Sequence, residues 1–173
     1  MTKRLRQLQW RNVKVLVTIV SLLTLFGVPC RAQNVALTLI DMQHDFMVRQ
    51  GAQDQVYNQE NIRSVIDRQK QLIQAAKRHH APIIVVSSFE SGAYNEELLR
   101  EIGDYDKLVT FEKYRTNIFE SDSGVAHAFP RYLDEHNISK IIVAGANGGA
   151  CVQSAIASSL AMGYKVVADN EGI

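Results

Sequence analysis

Apolar residues in this chain fall into short unbroken runs, separated by longer stretches in which they recur every three or four positions. Asn34 to Ile40 is nearly continuous in apolar character, the pattern of a central parallel strand covered on both faces. Gln59 to His80 places Ile62, Val65, Ile66, Leu72, Ile73 and Ala76 at helical spacing, with Arg63, Arg68, Lys70, Lys77 and Arg78 among the polar positions. Ala81-Pro82 breaks that helix, and Ile83 to Val86 reads as a second strand. Tyr94 to Ile102 predicts a short helix and Leu108-Val109 a short extended piece. Ser123 to His136 predicts a helix whose apolar positions are Val125, Phe129, Tyr132 and Leu133. Ile141 to Ala144 is a buried strand, the run to about Met162 is rich in Ala, Leu and Ile, and Gly163 to Asp169 gives a fourth clear strand.

Strands that alternate with helical patterns predict an α/β fold: a three-layer, Rossmann-like, mostly parallel sheet with helices on both faces. At 173 residues the chain suits one domain. Charge changes that picture at the N-terminus. Six of the 19 basic residues and none of the 18 acids lie in residues 1–32, so the remainder carries 13 basic against 18 acidic side chains. Nothing in this mildly acidic body suggests a nucleic-acid partner, and none is expected. The basic leader to Lys14, the uncharged run Val15 to Val28 and the Ala32-Gln33 junction read as an export signal, too short for a comfortable membrane span. Residues 1–32 are thus expected to be a leader and 33–173 the domain, periplasmic or secreted, with no stable membrane span once the leader is removed. An uncleaved anchor, or a misassigned start upstream of a cytoplasmic protein, are the alternatives. Of the two cysteines, Cys30 belongs to the leader, which leaves Cys151 alone and rules out an intrachain disulfide in the mature chain.

Chemistry concentrates where strands end. Cys151 follows Gly145, Gly148 and Gly149, at the point where a buried strand becomes a helix. In an open α/β sheet that position is the mouth where ligands bind. Unpaired first-turn amides there lower a thiol pKa and can hold an oxyanion. The competing reading is a small buried hydrophobe. Asp41 ends the first strand, where it is a site candidate or a simple turn residue. Lys113 lies between Phe111 and Tyr114, company that buries a lysine for a reason, although surface lysines are common. His79-His80 is read as a favourable helix C-terminus rather than a metal site.

Three separated segments then match one pattern: Leu39-Ile-Asp41-Met-Gln-His-Asp-Phe46, Lys113 within Phe111-Glu-Lys-Tyr114, and Ile142-Val-Ala-Gly-Ala-Asn-Gly-Gly-Ala-Cys151-Val152, with Gly163 to Asp169 as a fourth fit. The chain resembles the isochorismatase-like cysteine hydrolases, the group that includes nicotinamidases and N-carbamoylsarcosine amidohydrolase. The resemblance implies a triad of Asp41 as general base, Lys113 as stabilising cation and Cys151 as nucleophile. It implies a cis peptide at Ala146–Asn147 and an oxyanion hole from the amides of Asn147 and Cys151. It also implies hydrolysis of a small amide, carbamoyl or ureide C–N bond through a thioester. The candidate pocket is Gln43, Phe46, Phe89, Tyr114 and Ala146, with core packing an equal reading for the aromatics.

Departures from the family pattern define the rivals. Gly148 and Gly149 stand where relatives usually carry Thr and an acidic or amide residue. Asp54-Gln55-Val56 lacks the His of the nicotinamidase metal pair. The expectation is therefore a small-molecule substrate with no metal and no cofactor. Relatives continue past the last strand, so a C-terminally short domain and a homo-oligomer are expected. A catalytically idle exported binding subunit and a thiol-dependent ester hydrolase are the alternatives.

Overall fold

The computed structural model describes residues 34–48, 59–89 and 91–173. The leader, Cys30 and the Asp54-Gln55-Val56 segment lie outside them. Five strands form one parallel sheet: β1 (Asn34–Ile40), β2 (Ile83–Ser88), β3 (Leu108–Lys113), β4 (Ile138–Gly145) and β5 (Lys165–Ala168), in the spatial order β3-β2-β1-β4-β5. Helices α1 (His44–Val48), α2 (Gln59–Arg78), α3 (Glu96–Ile102), α4 (Ala128–Glu135) and α5 (Gln153–Ala161) connect them. A π-helical turn, Gly148–Val152, precedes α5.

Alternation along the strands explains the layers. Leu37, Leu39, Ile83 and Val85 face α2 and α3, packing on Ile66, Ile73, Leu98 and Ile102. Ala36, Ile40, Ile84, Val86, Ile141 and Val143 face the other way, onto Phe129 and Leu133 of α4 and Ala155 of α5. Each such Leu, Ile or Phe contributes about 1.5–3 kcal/mol by leaving water. Both faces of the sheet are thus covered by helices, as the near-continuous apolar strands require.

Two elements depart from the sequence expectation. The short piece at Leu108-Val109 is a full six-residue strand running to Lys113, paired from Ile83↔Leu108 to Ser88↔Lys113. It is the edge strand, and its exposed Thr110 and Glu112 alternate with half-buried Val109 and Phe111, which breaks up the apolar run. The helix read from Ser123 begins only at Ala128. Gly124 at φ 82° and the bonds Ser123 Oγ to the Ile118 carbonyl (2.9 Å) and Val125 amide to Ser123 Oγ (3.3 Å) fold residues 123–127 into a turn instead.

The order reverses at β1. From it the chain runs outward through β2 and β3 on one side, and through β4 and β5 on the other. In open parallel sheets a crevice forms beyond the carboxyl ends of the strands at such a reversal. Here the reversal falls between β1 and β4, whose carboxyl ends are at Asp41 and Gly145.

Candidate active site

Asp41 stands one residue past β1, at φ 53°, and is 0% exposed. Lys113 is the last residue of β3 and 1% exposed. Cys151 lies in the π-helical turn after β4 and is 6% exposed. Chain folding brings these three together from three different strand ends. Lys113 Nζ is 2.9 Å from Asp41 Oδ2 and 3.4 Å from Cys151 Sγ, and it donates to the Arg115 carbonyl at 3.1 Å. A buried ammonium is tolerable only with such partners. The carbonyl of Arg115 is the contributor that sequence reading missed, and no sequence signal marks a backbone acceptor.

The turn after β1 is tied down on every side. Gln43 is buried, and its side chain donates to the carbonyls of Ser88 (2.7 Å) and Gly92 (3.1 Å) and accepts from the Ser88 amide (2.6 Å). Its amide group is therefore fully engaged in joining the β1 and β2 ends. The Asn95 amide donates to the Met42 carbonyl (2.8 Å) and the His44 amide to the Ala93 carbonyl (2.9 Å), pairing Gln43 with Tyr94 in an antiparallel bridge. That bridge holds Tyr94 against the core beside Met42, near enough to feel the Asp41 charge. Its hydroxyl is sealed from solvent, and burial first, then the Asp41 charge, push the phenol above its ordinary pKa.

The turn after β4 is built differently. Gly145 takes φ 149° beside the Ile40 backbone, where a Cβ would collide with the Ile40 carbonyl. Asn147 is left-handed, φ 62° and ψ 58°, and its carbonyl accepts from the Ala150 amide (3.0 Å) and the Val152 amide (3.4 Å). This corrects two expectations. No cis peptide occurs among the described residues: positive φ at Gly145 and Asn147 reverses the chain at Ala146–Asn147, and Asn adopts that conformation readily. Cys151 does not open the helix directly but sits in the wider turn ahead of α5.

The thiol also departs from expectation. Burial first, then its hydrogen bond to Asp41 and the Asp41 charge, push Cys151 up to about 11, and Lys113 opposes them only in part. The Cys151 thiol is therefore held in its protonated form beside Asp41. Exclusion from water is the largest cause, and no contribution from helix-end amides enters it.

The proposed pocket residues are dispersed. Phe89 and Tyr114 directly follow β2 and β3, are 45% and 54% exposed, and meet edge to face at 4.9 Å. Gly124 seats that pair, since a Cβ on it would fall 2.6 Å from the Tyr114 ring. Ala146 is half-buried at the mouth of the β4 turn, its amide bonded to the Ile40 carbonyl at 2.9 Å. Phe46 is half-buried on α1. No group of three or more His, Cys, Asp or Glu side chains is placed to hold a metal among the described residues, and no helix among them is long and apolar enough to cross a membrane.

An isochorismatase domain profile matches residues 35–173. The chain belongs to the isochorismatase family. Solved structures agree on the fold. A nicotinamidase from Staphylococcus aureus superposes with a TM-score of 0.65 at 18% identity, covering 82% of each chain. An N-carbamoylsarcosine amidase from Thermoplasma acidophilum gives 0.62 at 16% identity, over 82% of this chain and 84% of that one. An isochorismatase family protein gives 0.62 at 25% identity, over 78% and 77%. By sequence, no curated protein matches significantly. Membership makes hydrolysis of small C–N substrates plausible at the level of the family.

Proposed function

We propose that this isochorismatase-family chain is a cysteine-dependent hydrolase of a small amide, carbamoyl or ureide C–N bond. The observation that carries the reading is the placement of Lys113 Nζ 2.9 Å from Asp41 Oδ2 and 3.4 Å from Cys151 Sγ in a site closed to bulk water. Asp41 takes the thiol proton as Sγ attacks the acyl carbon, and Lys113 balances the charge as it moves from carboxylate to sulfur. The amides of Asn147 and Cys151 are the proposed oxyanion donors. The C–N bond breaks, the amine leaves with the proton held by Asp41, and a thioester remains. Asp41 then activates water, which adds to the thioester, and the acid departs as the thiol is restored. A thiol that stays protonated at rest fits this sequence, since proton transfer accompanies attack.

Gln43 is assigned a positioning part, because its amide is fully occupied between Ser88 and Gly92. Phe89, Tyr114 and Ala146 are the proposed rim. The test is turnover of a panel of small carboxamides, carbamoyl compounds, ureides and matched esters, with acyl-enzyme trapping followed by mass. Turnover with a mass adduct on Cys151, both lost in Cys151→Ala, is expected. Turnover that survives Cys151→Ala, or no turnover of any C–N substrate, would sink the proposal.

A further inference from the structure

A short turn at the end of the described chain lies directly under the nucleophile loop. Beyond β5, the Asp169 amide donates to the Val143 carbonyl (3.0 Å) and the Gly172 amide to the Asp169 carbonyl (2.9 Å), folding residues 169–172 back over β4. The Gly172 carbonyl then accepts from the Gly145 amide at 2.9 Å, where the nucleophile loop departs. One residue further, Ile173 reaches the loop itself: a Cβ on Gly148 would fall 2.7 Å from Ile173 Cγ2. Two adjacent residues of α2 anchor this turn. Arg68 holds Asp169 through a two-pronged ion pair at 2.7 and 3.0 Å. Gln69, 0% exposed, donates to the same Gly172 carbonyl at 2.7 Å and lies 3.2 Å from Met42 Sδ, beside Asp41.

We infer that residues Asp169–Ile173 are a positioning strap, anchored by Arg68 and Gln69, that sets where the Cys151 loop sits relative to Asp41. It accounts for the glycine at position 148, where the Ile173 methyl takes the space a side chain would need. Gly149 has nothing within 4 Å of its Cβ position, so the two adjacent glycines answer to different constraints. A buried glutamine on an otherwise apolar helix face is also explained: its single amide group touches both the residue after the base and the support of the nucleophile loop. The strap gives the proposed hydrolase its thiol geometry and rests on that reading for its purpose, but not for its test.

The test is the pH profile of Cys151 alkylation by iodoacetamide in the full chain, followed on the Cys151 peptide by mass so that Cys30 does not interfere. Melting temperature is recorded alongside. In the parent the profile rises toward about pH 11. Gly148→Ala is expected to push the loop off the strap, move the profile toward an ordinary thiol near pH 9 and raise the rate at about pH 8 by roughly tenfold or more. Ile173→Ala alone shifts it the same way by less, and Gln69→Leu, which lacks the donor, shifts it too. The Gly148→Ala/Ile173→Ala double variant returns to within about threefold of the parent, because the new methyl fills the space vacated. A general loss of stability would not restore the profile in the double variant. If Gly148→Ala does not fold, Ile173→Ala and Gln69→Leu decide the matter. Unmoved profiles in those two, or a double variant that stays with Gly148→Ala, overturn the strap. Alkylation needs no substrate, so a chain that hydrolyses nothing yet shows the restored profile leaves the strap standing and removes only the hydrolase reading.

Discussion

The two turns that follow β1 and β4 are made on opposite plans. The turn after β1 carries the carboxylate and is fixed by side chains: Gln43 grips Ser88 and Gly92, and the Tyr94 segment pairs across it. The turn after β4 carries the thiol and contains almost no side chains. Gly145, Ala146, Gly148, Gly149 and Ala150 leave it to be shaped by backbone bonds and by the Ile173 contact. A base that receives and returns a proton works best held still. A nucleophile that bonds to carbon and later releases it needs close backbone approach and freedom around it, and glycine supplies both. Lys113, from a third strand, reaches both turns.

The most severe way to break this division is Asp41→Asn, which keeps the shape and removes the proposed base. Turnover is expected to fall by about 10³-fold or more. The thiol should respond in the opposite sense. Asp41 holds Cys151 up, so its neutral replacement lowers the thiol pKa and speeds alkylation at about pH 8 while hydrolysis collapses. Parallel losses of both would show that the carboxylate organises the fold rather than the proton.

Next in size is the ion pair. Lys113→Met strands a carboxylate at 0% exposure and is expected to cost about 3–5 kcal/mol in denaturant unfolding. Adding Asp41→Leu should recover most of that stability with no return of activity. A pair whose joint removal is tolerated by the fold but not by turnover is retained for chemistry. A double variant no more stable than Lys113→Met would mean that the pair supports the sheet ends.

Gln43→Leu attacks the firmer turn directly. It leaves the Ser88 amide and the Ser88 and Gly92 carbonyls without their partner, at an expected cost of about 1–3 kcal/mol. Its mark on catalysis should be a lower kcat with KM nearly unchanged, since no Gln43 atom is left free for substrate. A KM effect alone would return Gln43 to the pocket.

These differences also decide what sequence could show. β1 and β2 were legible because strands covered on both faces are apolar without interruption. Asp41 and Cys151 could be named as candidates because ligands gather at the carboxyl ends of such strands, and the fold brings both to Lys113. β3 was read as two residues because its edge position admits Thr110 and Glu112, which hid the strand end at Lys113. The loop after β4 was less legible still. Its shape depends on Gly172 and Ile173, more than twenty residues downstream, and no local pattern reports that contact. For the thiol the sequence left two readings open, an activated helix-end thiol and a small buried hydrophobe, and it could not weigh them, because the degree of burial is set by elements far along the chain.

Because the thiol is held up, the pH dependence of stability has a defined sign. Cys151 lies near 9 when free and at about 11 in the fold. The native state keeps its proton through that window while the unfolded chain loses its own. The contribution is therefore fully present below about pH 9 and is lost as pH rises toward 11. Cys151→Ser, which does not titrate there, should flatten the decline in melting temperature across that window. An unchanged slope would place the titration elsewhere.

The smallest expected effect sharpens the comparison most. Gly149→Ala adds a methyl with nothing within 4 Å, at a position whose backbone is not left-handed. Reduced freedom of the unfolded chain should stabilise the fold by about 0.4–1 kcal/mol. If the turn after β4 is glycine-rich only to clear Ile173, kcat stays at the parent value, because Gly149 makes no such contact. If the nucleophile needs slack to enter and leave the thioester, the same substitution lowers kcat while raising the melting temperature. Thermal melts and turnover on one preparation separate the two, and a rise in stability with a fall in kcat would show that the looseness of the β4 turn is itself part of the chemistry.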